Sequence, residues 1–390
     1  MINISDKSKC CGCTACASIC PYDAICMQPD ELGFLYPMVD RTKCVDCGLC
    51  EKVCSFNDHY DTSLNFEKPK SYAARHKEMS EVETSRSGAT FIALSDWVLE
   101  QGGVVYGAGY TDHFRVVHKR ATTKESRNEF KGSKYVQSDL TRIFRMVKDD
   151  LRKDRIVLFS GTPCQVSALH SFVGLKLRQN LYLIDIVCHG VPSPYVWRDF
   201  VAYLEKKQQN EIRWVNFRDK QEFGWAAHRE TFVFSNSNKK KTFNLQYYQE
   251  VMFRRSCYHC HFCNTKRSGD ITIGDYWGWD KNVPEMNRDD KGLSLILVNT
   301  RKGEALLESA KEKMNIVSIC LESSLQPNLI HPTALPPQRD NFEKDYTLYG
   351  FEYVAKRYGI ISERCMFKML KSKITSQMIR LVNLFVKNKQ

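Results

Sequence analysis

The chain has 390 residues, 43% of them hydrophobic, and carries 57 Lys and Arg against 45 Asp and Glu, a formal net charge of +12. That length suggests two or three domains, with ample apolar content for a soluble core. No window approaches the run of apolar residues a membrane-spanning helix needs, and nothing resembles a nucleic-acid-binding module.

The first element is rich in cysteine. Cys10, Cys13, Cys16 and Cys20 follow the spacing C-x2-C-x2-C-x3-C, closed by Pro21. Cys44, Cys47, Cys50 and Cys54 repeat it, with Ser55 where the first run has proline. This is the spacing of bacterial two-cluster ferredoxins, in which the fourth Cys of each run ligates the other cluster. It predicts one [4Fe-4S] cluster on Cys10, Cys13, Cys16 and Cys54, and another on Cys44, Cys47, Cys50 and Cys20. Zinc sites usually have two separated C-x2-C pairs rather than four Cys in one short run. Disulfides need an oxidising compartment, and the N-terminus lacks the basic-then-apolar layout of a secretory signal. A cytoplasmic protein is therefore expected. Cluster thiolates also make the loaded protein less basic than the formal count. The remaining positive excess suits an acidic ferredoxin, a phosphate-bearing cofactor or an anionic surface, and equally an ordinary soluble surface.

Residues 1–57 should form the ferredoxin module, and the polar stretch 58–69 a linker. After Ser87-Gly88-Ala89, the run Thr90 to Glu100 places Phe91, Leu94 and Val98 at helical spacing and stops at Gly102-Gly103. Val104 to Gly107 reads as a buried strand. Arg155 to Ser160 and Leu181 to Val187 are strands that break at Gly161-Thr162-Pro163-Cys164-Gln165 and at Cys188-His189-Gly190. Ser193 is a natural N-cap, with Pro194 at the first helical position of a run toward Lys207. Strand, loop, helix in repeat implies parallel strands, with Cys164 and Cys188 just past their carboxyl ends, where open sheets place ligands. Residues 212–242 read as hairpin structure with a turn at Ser235 to Lys241, and Ser294 to Val298 as a further strand. In the last residues, Phe367, Leu370, Ile374, Met378, Leu381 and Phe385 recur at helical spacing among Lys and Arg. This basic amphipathic helix suits an anionic membrane or a partner, or docking on its own core.

Nine cysteines remain outside the ferredoxin runs. Cys11, Cys26, Cys320 and Cys365 are expected to be small buried hydrophobes. Cys257 and Cys260 form a C-x2-C pair, local spacing adds Cys263, and Cys164 and Cys188 can complete a set of four. A third [4Fe-4S] cluster is the preferred reading; zinc and free thiols are the alternatives. Clusters pass one electron at a time, so two-electron chemistry needs a converter, usually flavin. No G-x-G-x-x-G follows a strand. Ser87-Gly88 and Gly132-Ser133-Lys134-Tyr135 suit a phosphate, although each is also an ordinary turn.

Ser87-Gly88-Ala89, Gly132 to Ser138, Gly161 to Gln165, Cys188-His189-Gly190 and Asp270 to Asp275 occur in an order that resembles the coenzyme F420 hydrogenase/dehydrogenase beta-subunit family, fused to a two-cluster ferredoxin. The resemblance spans roughly residues 1 to 340. It implies an iron–sulfur flavoprotein using FAD and an acceptor such as coenzyme F420, although relatives act on other substrates. Carried over, the third-cluster ligands are Cys164, Cys188, Cys257 and Cys260, with Cys263 outside the pattern. Ser87, Gly88, Lys134 and Tyr135 are the implied flavin contacts. His189 suits proton donation beside the flavin, or a structural bond within its own loop.

The expected fold is α+β. A ferredoxin module precedes an α/β iron–sulfur flavoprotein domain over residues 70–340 and a helical tail over 341–390. The expected function is an oxidoreductase passing electrons from a redox partner protein or ferredoxin, through three clusters and FAD, to a small organic acceptor. The rival is a non-catalytic electron-transfer subunit docked on an enzyme.

Overall fold

The computed structural model describes residues 1–56, 60–235, 240–244 and 250–359. It divides into two compact units, Met1–Leu335 and one beginning at Pro336.

In the first unit, strands β1 (Ile25–Pro29) and β2 (Leu35–Val39) form an antiparallel hairpin between the two cysteine runs. The main sheet contains β3 (Asn65–His76), β4 (Val104–Tyr110), β5 (Val116–Ala121), β6 (Val157–Gly161) and β7 (Leu181–Ile186). Beyond these come β8 (Ile212–Asn216), β9 (Arg229–Phe234) and β10 (Lys240–Asn244), which form a separate antiparallel sheet. β11 (Ile271–Asp275), β12 (Ser294–Thr300) and β13 (Met314–Ser318) return to the main sheet. Its order is β13-β3-β12-β11-β7-β6-β4-β5. The neighbours β4, β6, β7 and β11 run parallel, and the remaining pairings are antiparallel.

The expected α/β unit is present. β6 leads into a helix at Pro163–Val173, so Cys164 lies in its first turn rather than in a preceding loop. β7 leads through Cys188 to a helix at Pro194–Gln208. Ser193 caps that helix by accepting the Val196 N–H at 3.0 Å, and its hydroxyl donates to the Leu32 carbonyl at 2.6 Å. The helix at Thr90–Glu100 buries Ile92, Leu94 and Val98, the last two on one face of the sheet with Leu158 and Ile296. The other face buries Phe144, Phe159, Phe172 and Leu181.

The ferredoxin module shares that second core. Ala15 and Val53 belong to the same apolar cluster as Phe144 and Leu169. Arg145 adds hydrogen bonds to the carbonyls of Ser18 (2.9 Å) and Cys20 (3.0 Å). The stretch 58–69 is not a free linker throughout: β3 begins at Asn65, where pairing with β12 satisfies its backbone groups. The first compact unit ends at Leu335.

In the second unit, a helix at Arg339–Arg357 is interrupted at Gly350 (φ 71°), and Phe342 packs edge-to-face on Tyr358. The amphipathic stretch from Phe367 to Phe385, and Cys365, lie outside the described residues. Among the described residues no helix is long and apolar enough to cross a membrane.

Candidate functional site

The structure gathers the cysteines into three groups. Cys20, Cys44, Cys47 and Cys50 line one hollow of about 20 Å3, with Tyr22, Val45 and Leu49 around it. Cys10, Cys13, Cys16 and Cys54 form a second group. Burial raises the Cys16 thiol, and the facing Cys13, Cys10 and Cys54 raise it further. Cys164, Cys188, Cys257 and Cys260 line a third hollow of about 30 Å3, together with Cys263 and Cys11. Burial pushes Cys188 up and Cys257 up to about 12, with the neighbouring thiols adding to both.

Backbone amides point at the sulfurs. The N–H of Ile2 faces Cys50 Sγ at 3.3 Å, and that of Val191 faces Cys257 Sγ at 3.4 Å. The N–H groups of Gly12, Ala17, Phe56, Gly190 and Phe262 face Cys10, Cys16, Cys54, Cys188 and Cys260. Crowded buried thiols cannot ionise together unless a cation sits among them, and amide donors then stabilise the sulfurs. This donor set suits four-iron clusters in all three groups.

Two side chains span the second and third groups. Cys11 is 5% exposed, and its thiol, beside those of Cys13 and Cys164, holds Cys164 below the ordinary thiol range. Arg254, fully buried, donates from Nε to the Cys10 carbonyl at 2.7 Å and from Nη2 to the Leu35 carbonyl at 2.9 Å. Its Nη1 donates to Gln137 Oε1 at 3.0 Å, and Gln137 Nε2 donates to the Cys11 carbonyl at 2.8 Å. Cys11 is buried as expected. Cys26 and Cys320 are instead exposed: Cys26 stands on β1 on the face opposite buried Ile25, and Cys320 follows the edge strand β13.

Beyond the third group lies a cavity of about 420 Å3. It opens at the carboxyl ends of β6, β7 and β11, through Ser160–Thr162, Ile186–Pro192 and Ile273–Asp275. Thr162, Cys188, His189, Gly190 and Val191 line both the cavity and the third thiol hollow, so the two share a wall. At the cavity's edge Trp277 stacks on buried Trp225 (4.6 Å, 18°), and the Arg218 guanidinium lies 5.4 Å from the Trp277 ring centre. Asp275 binds Arg218 Nη1 at 2.7 Å and Trp225 Nε1 at 3.2 Å. Burial opposes its charge, but Arg86 and Arg218 hold its carboxyl below the ordinary value.

Of the expected flavin contacts, Ser87, Lys134 and Tyr135 line this cavity. Several of their polar groups are engaged within the protein. Ser87 Oγ donates to the Leu293 carbonyl at 2.6 Å. The Gly88 N–H donates to Ser294 Oγ at 2.9 Å, and a Cβ there would stand 2.3 Å from the Ala74 carbonyl oxygen. Gly88 thus serves close packing between β3, β12 and the helix head. Lys134 Nζ donates to the carbonyls of Glu129, Lys131 and Gly132 at 2.7, 3.0 and 3.3 Å. Its ammonium clasps its own loop. Burial lowers it to about 7. The Tyr135 hydroxyl accepts from Arg218 Nη1 at 3.4 Å. His189 opens into the cavity, and desolvation lowers its pKa, opposed by Asp275.

Sequence reasoning passed over Arg218, Trp277, Arg254 and the bridging role of Cys11. Arg254 stands three residues before Cys257, and Asp275 closes the Asp270–Asp275 run, so both were within reach. Arg218 and Trp277 come together only through the fold.

Residues 154–321 match the family model for the C terminus of the coenzyme F420 hydrogenase/dehydrogenase beta subunit. Residues 9–57 match the 4Fe-4S dicluster domain. No curated protein matches the chain. Among solved structures, a chain of the F420-reducing [NiFe] hydrogenase complex from Methanosarcina barkeri, in a xenon derivative, is similar at 14% identity. Its TM-score is 0.46, over 76% of this chain and 92% of that one.

Proposed function

From a chain that carries a 4Fe-4S dicluster domain and the C-terminal domain of coenzyme F420 hydrogenase/dehydrogenase beta subunits, we propose an iron–sulfur flavoprotein oxidoreductase. The Cys20, Cys44, Cys47 and Cys50 group, the Cys10, Cys13, Cys16 and Cys54 group and the Cys164, Cys188, Cys257 and Cys260 group would each hold a [4Fe-4S] cluster, and together these would supply a path between a redox protein and a small organic acceptor in the 420 Å3 cavity. When bound, the clusters supply single-electron transfer, and FAD supplies the exchange between single electrons and a hydride.

The observation that carries this reading is the wall shared by the third thiol hollow and the cavity, with Cys188 facing both. Trp277, Tyr135 and the Arg218 guanidinium supply flat and cationic surface for a planar anionic ring. His189, next in the chain to Cys188, lines the cavity, where an imidazole is able to give or take a proton. The acceptor class includes coenzyme F420, as in the family's description, and other planar redox-active molecules.

A second reading is an electron-transfer subunit without chemistry of its own, and one observation favours it. Tyr22, Val45 and Leu49 are exposed around the outer thiol group, a collar suited to a partner protein.

Anaerobic purification tests both. About twelve iron and one released flavin per chain are expected for the enzyme. Full iron without flavin overturns it in favour of the electron-transfer reading, and about eight iron removes the third cluster.

A further inference from the structure

A chain of buried hydrogen bonds runs from β5 to the sulfur of Cys164. His118, on β5, is 4% exposed and stacks on Phe159 of β6 at 5.1 Å and 12°. Its Nε2 lies 3.0 Å from the Ser160 carbonyl oxygen. A carbonyl only accepts, so Nε2 carries the proton and Nδ1 is left as the acceptor. Nδ1 is 2.9 Å from Ser138 Oγ, so the serine hydroxyl donates to it. Ser138 Oγ in turn accepts from Gln165 Nε2 at 3.0 Å. That fixes the amide's direction and turns Gln165 Oε1 toward the Thr162 N–H, 3.0 Å away.

The far end of this chain lies on a cluster ligand. Thr162 Oγ1 is 3.2 Å from Cys164 Sγ, and the Gln165 backbone N–H faces the same sulfur. The direction of the bonds from His118 to the Thr162 N–H is set by the Ser160 carbonyl. Ser138 and Gln165 are 9% and 3% exposed, so a broken link is not readily replaced by water. His118, Ser138, Gln165 and Thr162 also line the large cavity.

We propose that His118, Ser138 and Gln165 are positioning residues that set the reduction potential of the third iron–sulfur site by fixing the donors around Cys164. This rests on the third-cluster reading given above. Hydrogen bonds to cluster sulfurs favour the reduced, more negative state and raise the potential. Loosening the Thr162–Gln165 segment therefore lowers it.

The test is a redox titration of the full chain, purified anaerobically and followed by electron paramagnetic resonance. Ser138→Ala removes the donor to His118 and the acceptor of Gln165; Ser138→Thr keeps the hydroxyl. The expected result is full iron in both. The third site's potential falls in Ser138→Ala by a tenfold change in equilibrium constant or more, about 59 mV for one electron. It returns in Ser138→Thr, and the two ferredoxin clusters do not move. His118→Phe keeps the stack on Phe159 and the Gln165–Ser138 bond. It should show a smaller fall, and it carries the measurement if Ser138→Ala does not fold. An unmoved third potential at full iron overturns this inference alone. Wild-type protein with iron for only two clusters overturns the third-cluster reading, and this inference with it.

Discussion

Arg267 and Asp185 form a buried ion pair behind the third thiol group. Arg267 Nη2 and Nε donate to Asp185 Oδ1 at 2.8 and 3.1 Å, and the side chains are 1% and 0% exposed. Arg267 also donates to the carbonyls of Phe262 (2.7 Å) and Ile186 (2.8 Å), and Asp185 Oδ2 accepts the Gly269 N–H at 2.9 Å. The pair thereby ties the Cys257–Cys263 segment to the end of β7, just before Cys188.

Arg267→Met should cost about 3–5 kcal/mol, since it strands the Asp185 charge without its partner. Iron at the third site should be lost before iron at the ferredoxin sites. Melting temperature and iron per chain check this; a fully loaded variant with wild-type melting would contradict it.

Arg254→Met should detach the ferredoxin module from its seat. It removes donors to the carbonyls of Cys10 and Leu35 and to Gln137, at about 2–4 kcal/mol in total. Limited proteolysis should then degrade residues 1–56 faster than in the wild-type protein.

Gly190→Ala should be poorly tolerated. Gly190 has φ +136°, and an added Cβ would stand 2.4 Å from Phe253 Cδ2. Strain and overlap together should cost about 2–4 kcal/mol and displace Cys188 and His189. Combining Gly190→Ala with Phe253→Leu removes the overlap but not the strain, and should recover part of the melting temperature.

Acid should weaken the fold through buried histidines. Burial holds both His118 and His170 down at about 4. The unfolded chain binds more protons below the ordinary histidine value of about 6.5, so this stability is complete above it and is lost as pH falls toward 4. Each histidine contributes about 3 kcal/mol to that loss. His118→Phe should narrow the gap between melting temperatures at about pH 7 and about pH 5; an unchanged gap would refute the assignment.

The cysteine spacing made the ferredoxin module legible, because cluster ligation needs fixed short intervals that survive in one dimension. The helix at Thr90–Glu100 was legible to the residue, since its apolar period ends at paired glycines. The cap at Ser193 was legible as well, but not its second bond to Leu32, which links elements 161 positions apart. Lys134 is a case of the same kind: its turn suits a phosphate or an ordinary loop, and the three carbonyls around its ammonium come only from the fold. The union of Arg218, Asp275 and Trp277 at the cavity edge is a tertiary fact with no local periodicity to announce it.

Cys47 is exposed, whereas the third thiol group is walled by Arg254, Phe56 and the Cys188–Val191 loop. Oxygen and chelators reach exposed thiolates first. The protein should therefore corrode from one end. In air, iron would leave the Cys20, Cys44, Cys47 and Cys50 group earliest, cutting the supply of electrons while the inner sites stay whole. A partner protein seated over Cys47 would act as a seal as well as a source.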